Sequence, residues 1–217
     1  MNQDGVSMGA LPLATEKMIA DADGAIGWVI FNNPARRNAV SMEMWRAVPE
    51  ILDRFESDPA IRVIVLRGAG DKAFVSGLDI SEFETAFSSS ATAAGIEEMS
   101  AHACARIETA TKPTIAMING FCMGAGIQIA SSCDLRVAAD TAIFAIPAGR
   151  LGLGYPAASI IRIAGLIGPS NAKEFFFTAR QFSAGEAGHM GLVNRVVPAA
   201  ALETHVRNLC TMIASAS

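Results

Sequence analysis

The sequence predicts an α/β fold with largely parallel strand pairing, and three observations predict it. Apolar runs of strand length alternate with segments of helical period along the chain. Two of those runs, Val63–Leu66 and Thr114–Ile118, are apolar at nearly every position, as strands buried on both faces are. In two places, residues 73–80 and 119–128, small residues follow such a strand and lead toward a helix. With 217 residues, 51% of them hydrophobic, the chain suffices for one well-packed domain and is short for two.

Taken in order, Met18–Ala22 and Ile26–Phe31 read as strands around Asp23-Gly24, a hairpin dipeptide. Residues 32–40 form a loop carrying Pro34, Arg36 and Arg37. Ser41 is placed to cap a helix running to about Phe55. Pro49, which lacks an N–H, is expected to kink that helix or divide it. After the Val63–Leu66 strand, Gly68-Ala69-Gly70 opens a long loop to about Ile80. Residues 83–95, rich in Ser, Ala and Thr, are expected to form a mobile surface loop. Ile96–Ala110 reads as a helix that stops before Lys112-Pro113, since the residue preceding proline is pushed out of helical geometry. Thr114–Ile118 is a strand, Met123–Ser132 a helix and Leu135–Ala138 a strand. Ser170–Ala179 has Ala172, Phe175, Phe176 and Ala179 on or near one helical face. Ser183 and Glu186 have capping-box spacing, Val193–Val197 reads as a strand, and a helix runs from Ala200.

Composition narrows the function. The net charge is −4 and no Lys/Arg tract occurs, so neither nucleic-acid binding nor an anionic membrane surface has electrostatic support. Residues 114–133 carry no charge and approach the length of a spanning helix. Asn119-Gly120, Gly124 and Gly126 interrupt that stretch, and a strand, a turn and a buried helix fit it better. Cys104, Cys122, Cys133 and Cys210 lack paired metal spacing and read as buried free thiols of a reducing compartment. The first residues lack a basic segment followed by an apolar one, so no secretory signal is read and a cytoplasmic location is expected. His102, His189 and His205 show no ligand spacing and read as structural, so no metal site is expected.

The two small-residue transitions are where chemistry is expected. Gly124, Ala125 and Gly126 open a helix whose first N–H groups lack intrahelical partners, and the helix dipole there favours negative charge. That suits an oxyanion developing on a substrate. A tight packing turn explains the same residues equally well.

The segments Ala73–Ile80 and Asn119–Gln128 together resemble the crotonase, or enoyl-CoA hydratase/isomerase, superfamily. Asn33-Pro34, Asn38-Ala39-Val40, Lys112-Pro113, Cys133-Asp134 and Gly191–Pro198 agree in order, so the likeness runs from about residue 17 to the end. The resemblance implies a spiral of β-β-α turns over residues 1–198. Residues 199–217 would begin a C-terminal helical region, the rest of which is expected to be absent here. In the family those helices cover the acyl-CoA site and join a trimer, so a homotrimer or a dimer of trimers is implied. The implied substrate is an acyl-coenzyme A thioester, with coenzyme A part of the substrate and no separate cofactor. The thioester carbonyl would accept hydrogen bonds from the backbone N–H groups of Leu78 and Ala125. Arg36 and Arg37 would lie near the coenzyme A phosphates, or else are solvated loop arginines. Ala39, Val40, Ser76, Gly77, Asp79 and Ile80, with Met123, Gly124 and Pro147, would line the coenzyme A and acyl sites. Asp79 equally suits a cap on a following helix.

The chain departs from the family where hydration is performed. Family hydratases use two glutamates, one to activate water and one to protonate the α-carbon. Gln128 and Ala148 stand at those positions. Glutamine can orient water but cannot take its proton, and alanine can do neither. General acid–base help is worth about 10²–10⁴ per group, so efficient two-glutamate hydration is not expected. The familiar isomerase route, which needs the second glutamate, is equally unsupported. The nucleophile of the family's aroyl-CoA dehalogenases would fall near Pro156. Tyr155, the only tyrosine, is either a proton or hydrogen-bond donor to the acyl group or a packing residue with a satisfied hydroxyl. Glu82 and Glu84 read as solvated helix residues. Three functions remain: an acyl-CoA enzyme with altered chemistry such as a decarboxylase, thioesterase or lyase; a non-catalytic acyl-CoA binder; and a weak hydratase using Gln128.

Overall fold

The computed structural model describes residues 7–79 and 90–216, the side chains of 7–11 and 90–94 excepted. An edge strand β1 (Ser7–Leu11) and a hairpin, β2 (Met18–Asp23) and β3 (Ile26–Phe31), precede α1 (Met42–Ser57). Three successive β-β-α turns follow. The first is β4 (Val63–Gly68), β5 (Ala73–Val75) and α2 (Ser90–Glu108). The second is β6 (Thr114–Ile118), β7 (Phe121–Met123) and α3 (Ala125–Ser132). The third is β8 (Leu135–Ala139), β9 (Ile143–Ala145) and α4 (Ala157–Thr178). The chain continues through β10 (Phe182–Ser183), α5 (Ala184–His189), β11 (Arg195–Val197) and α6 (Leu202–Ala216).

Each turn adds one strand to each of two sheets. The larger sheet has the order β1-β2-β3-β4-β6-β8-β11 and the smaller β10-β9-β7-β5. Pairing is parallel from β3 through β4, β6 and β8 to β11, and again across β5, β7 and β9. Among the described strands, only the β1-β2-β3 edge and the β9-β10 pair are antiparallel. The period of two in the large sheet feeds two cores. Ile64, Leu66, Ala116 and Ile118 face a core shared with the small sheet and with α1 to α5. Val63, Val65, Ile115 and Met117 face the other way, where Leu202, Val206 and Cys210 of α6 cover them. Trp28 and Ile26 join that outer layer.

Several expectations need correction. α1 is a single helix through Pro49. A proline in a helix interior costs about 3 kcal/mol. Here Met44, Trp45, Ala47, Val48, Ile51, Leu52 and Phe55 are all buried along the same helix, and that burial outweighs it. Ser41 caps it, accepting from the Met44 N–H at 3.4 Å. The stretch taken as a loop to Ile80 contains β5, whose three residues are too few for a visible period. α2 begins at Ser90, so 90–95 are helical rather than loop. Ile80, Glu82, Glu84 and the remainder of the expected 83–95 loop lie outside the described residues. Met123 ends β7, and the helix expected from Met123 starts at Ala125. α4 begins at Ala157 rather than Ser170 and is broken where Gly168 has φ 77°. The Ser183–Glu186 capping box is formed, with Glu186 accepting from the Ser183 N–H at 2.8 Å.

α3 is short and fully buried, so its ends need partners. At its C-terminus Arg136, itself buried, donates to the carbonyls of Ala130 (3.4 Å) and Cys133 (2.5 Å) and ties them to Leu192 O at 2.8 Å. A guanidinium there complements the negative end of the helix dipole. The N-terminus of α3 is treated differently, as the site requires.

Candidate functional site

β5, β7 and β9 are adjacent and parallel, with Val75 opposite Cys122, Cys122 opposite Phe144 and Met123 opposite Ala145. Their C-terminal ends therefore lie side by side, and each runs straight into a site segment. Leu78 is three residues past Val75, Ala125 two past Met123, and Ala148 three past Ala145. Crevices at the carboxyl ends of parallel strands are where α/β sheets bind ligands.

Two glycines bring the first two segments into contact. Gly77 has φ 123° and Gly124 φ 50°, geometries that side chains rarely adopt. A Cβ on Gly124 would sit 3.8 Å from the Gly77 Cα, and one on Gly77 would sit 3.9 Å from the Met123 carbonyl. Gly126, the second residue of α3, packs closer still: a Cβ there would meet the Val75 carbonyl oxygen at 2.3 Å. So α3 lies directly against the end of β5.

The residues that follow Gly77 and Gly124 leave their N–H groups free of an acceptor among the described residues. Leu78 forms an isolated parallel bridge with Val40, made by Val40 N–H to Gly77 O (2.9 Å) and Asp79 N–H to Val40 O (2.9 Å). Strand alternation turns the Leu78 N–H away from Val40. Ala125 is the first residue of α3, where an N–H has no intrahelical acceptor. Behind it, the Gly124 carbonyl accepts from Ile127 N (3.0 Å), Gln128 N (3.2 Å) and the Tyr155 hydroxyl (3.0 Å).

The 33–40 loop is clamped to these segments. Asn38, buried with φ 56°, donates its amide to Ala69 O (3.0 Å) and Ala73 O (2.7 Å) and accepts from Asn33 N–H at 3.0 Å. Asn33 donates to Ala39 O at 3.2 Å and to Asp79 Oδ2 at 3.5 Å. Asp79 is only 4% exposed and pairs with Arg36 at 3.3 Å. A cap by Asp79 on a following helix lies outside the described residues. Arg36 keeps 55% of its side chain exposed, and the exposed Arg37 lays its guanidinium 5.0 Å from the Phe121 ring centroid. Ser76 bonds to the backbone of both arginines, its N–H to Arg37 O at 3.2 Å and its Oγ to Arg36 O at 3.3 Å. Asn33 and Asn38 were visible in the sequence without a role. Their signal is that asparagine tolerates a left-handed turn and can bridge backbone groups.

The side-chain chemistry is sparse. Gln128 is 7% exposed, lies one turn along α3 from Ala125, and its amide has no hydrogen-bond partner among the described residues. Ala148 and Pro147 lie in a 3₁₀ turn, Pro147–Leu151, both half-buried. Tyr155 packs its ring edge-on against Phe176 at 5.2 Å, and burial of its hydroxyl holds the phenol well above its ordinary pKa. It is thus an O–H donor and not a base at neutral pH. Burial likewise raises Cys104, to about 11, and Cys122, so neither is a nucleophile. No group of three or more His, Cys, Asp or Glu among the described residues is placed to hold a metal ion, and no described helix is long and apolar enough to cross a membrane. A hollow of about 410 Å³ lies elsewhere, lined by Glu56, Arg62, Thr111 and Lys112 among others. Glu56 there binds Thr111 N–H at 2.6 Å, and Lys112 binds Phe55 O at 2.6 Å and Asp58 O at 2.5 Å. Those contacts make it a structural joint.

The β-β-α spiral, with its parallel strand ends side by side, has the fold of the crotonase superfamily. Residues 21–217 match the enoyl-CoA hydratase/isomerase family model. The chain is 33% identical to a short-chain-enoyl-CoA hydratase of Clostridium acetobutylicum over 91% of its own length and 75% of that protein. It is 32% identical to a crotonyl-CoA hydratase of Syntrophomonas wolfei, covering 94% and 77%. A crystal structure of an enoyl-CoA hydratase/isomerase family protein from Hyphomonas neptunium superposes with a TM-score of 0.89 at 37% identity, covering 91% of this chain and 76% of that one. The chain belongs to the enoyl-CoA hydratase/isomerase family of enzymes.

Proposed function

We propose that the protein binds an acyl-coenzyme A thioester with its carbonyl oxygen between the N–H groups of Leu78 and Ala125, and that it stabilises an enolate-like oxygen there. The observation that carries this is the contact of Gly77 with Gly124, which sets on neighbouring segments two N–H groups without an acceptor among the described residues. Backbone donors need no particular side chain, so Leu and Ala serve. Each such donor is worth about 10²–10³ in rate. Arg36 and Arg37, exposed beside the Asp79 clamp, supply positive charge for the coenzyme A phosphates. On this reading Ala39, Val40, Ser76 and Gly77 lie between those arginines and the donors, with Met123, Gly124 and Pro147 on the acyl side.

The reaction is not the two-glutamate hydration. Gln128, one turn into α3, and Ala148, three residues past β9, stand where acid–base groups would act, and neither titrates. The reading supported best is an acyl-CoA enzyme whose chemistry uses the polarised carbonyl without those carboxylates, as decarboxylation, thioester cleavage or a lyase step would. Turnover of a panel of acyl-CoA esters, read by mass spectrometry, tests it; well-folded protein that binds the panel and turns over none of it is a binder instead. One observation favours a second reading: the Gln128 amide, without a partner among the described residues, could orient a water for slow hydration. Equal crotonyl-CoA hydration by wild type and Gln128→Ala excludes that role.

A further inference from the structure

We propose that Tyr155 is a positioning residue that holds and polarises the Ala125 oxyanion donor. The inference rests on the reading of Leu78 and Ala125 given above. The Gly124 carbonyl and the Ala125 N–H belong to one planar peptide unit, so whatever fixes the oxygen fixes the direction of the N–H. The oxygen receives two backbone bonds from the first turn of α3 and a third, at 3.0 Å, from the Tyr155 hydroxyl. That third bond comes from outside the helix, 31 residues along the chain. A hydrogen bond to a peptide oxygen draws charge toward it and makes the N–H at the other end of the same unit a stronger donor.

The surroundings keep Tyr155 in that role. Its ring is fixed edge-on to Phe176 at 5.2 Å, and α4 begins at Ala157, two residues later. The hydroxyl is among buried groups. Arg162, its charged neighbour, is paired with Glu108, and Cys104 and Cys122 nearby stay protonated through burial. No carboxylate is hydrogen-bonded to the phenol among the described residues, so it remains a donor across the neutral range. Gly124 also has the unusual pair φ 50°, ψ −107°, which side chains rarely adopt, so the orientation of this peptide unit draws on the hydrogen bonds to its oxygen.

The test uses the full chain and a chromophoric thioester, 4-(dimethylamino)cinnamoyl-CoA, whose absorbance moves to the red when its carbonyl is polarised. Tyr155→Phe keeps the ring and its contact with Phe176 and removes only the hydroxyl. Expected is a clear red shift in the wild type, a smaller one in Tyr155→Phe, and affinities within about twofold of each other. On an acyl-CoA substrate the wild type turns over, kcat falls about 2- to 8-fold at unchanged KM, a tenth to a third of one donor's effect on a logarithmic scale. An unshifted spectrum for bound probe in the wild type overturns the Leu78 and Ala125 reading and this one with it. A wild-type shift that Tyr155→Phe reproduces in full, with thermal unfolding unchanged, overturns only the role of Tyr155. Tyr155→Phe that loses stability and affinity together with no separate change in the bound spectrum also overturns it, since that is packing alone.

Discussion

Gly126 is where the geometry of the site and the packing of the fold meet. Its φ is ordinary, so Gly126→Ala is tolerated by the backbone and probes only space. The added methyl would lie 2.3 Å from the Val75 oxygen and 3.2 Å from its carbonyl carbon. Ordinary carbon–oxygen contact needs about 1 Å more than that. Both contacts are backbone, so no side chain can swing away, and α3 must part from the end of β5. Overpacking of this kind costs about 1–3 kcal/mol. Alanine recovers up to about 1 kcal/mol over glycine within a helix, so the net loss is about 1 kcal/mol. The same displacement separates Ala125 from Leu78, and a misplacement of about 1 Å costs on the order of 10²-fold in rate. The signature is a small fall in urea-unfolding stability with a disproportionate loss of acyl-CoA turnover and of the probe's red shift. Gly165→Ala is the control: it is exposed on α4 with nothing within 4 Å of its Cβ, and it gains up to about 1 kcal/mol with an unchanged site. Gly126→Ala that gains stability as Gly165→Ala does, with an intact site, would refute the close approach of α3 to β5.

Three further outcomes are expected. Gln128→Glu combined with Ala148→Glu restores the two missing carboxylates, and crotonyl-CoA hydration, followed by loss of enoyl absorbance, rises by about 10²-fold or more over wild type; no gain would mean that the donors and the two positions do not share one cavity. Glu186 is held near pKa 2, below the usual 4.5, by the Ser183 N–H, Arg180 and the Ser183 hydroxyl. A carboxylate depressed on folding adds stability above pH 4.5 that is lost as pH falls toward 2, so the wild-type advantage over Glu186→Gln in thermal unfolding shrinks across that window and vanishes below it. All four cysteines are buried and burial raises their thiols, so Ellman's reagent at pH 8 reacts promptly only in denaturant; fast labelling of the native protein would contradict the packing of α2, β7, α3 or α6, the elements that hold or adjoin them.

The sequence disclosed what local chemistry encodes. Val63–Leu66 and Thr114–Ile118 announce buried strands, Ser41 and the Ser183–Glu186 pair mark helix starts, and small residues mark both site segments. It hid what depends on distant partners. β5 and β9 are three residues each, too short for a period, and exist because β7 lies between them. Pro49 reads as a breaker because the seven buried side chains that hold α1 together act through tertiary contacts. Gly77 and Gly124 are each legible as turn formers, but not as neighbours. The Asn33–Asn38–Asp79 clamp and the bond from Tyr155 to Gly124 span 5 to 46 residues and follow from no local pattern. The absence of carboxylates at 128 and 148 was legible at once, since it concerns residue identity alone.

Two backbone N–H groups are proposed to hold the thioester oxygen. A crystal structure of the protein with a bound acyl-CoA tests it most directly. The thioester oxygen is expected about 2.7–3.1 Å from both Leu78 N and Ala125 N, with Gln128 and Ala148 facing the acyl carbons. A bound thioester whose oxygen lies beyond hydrogen-bond reach of either nitrogen, or is held by a side chain instead, would contradict it.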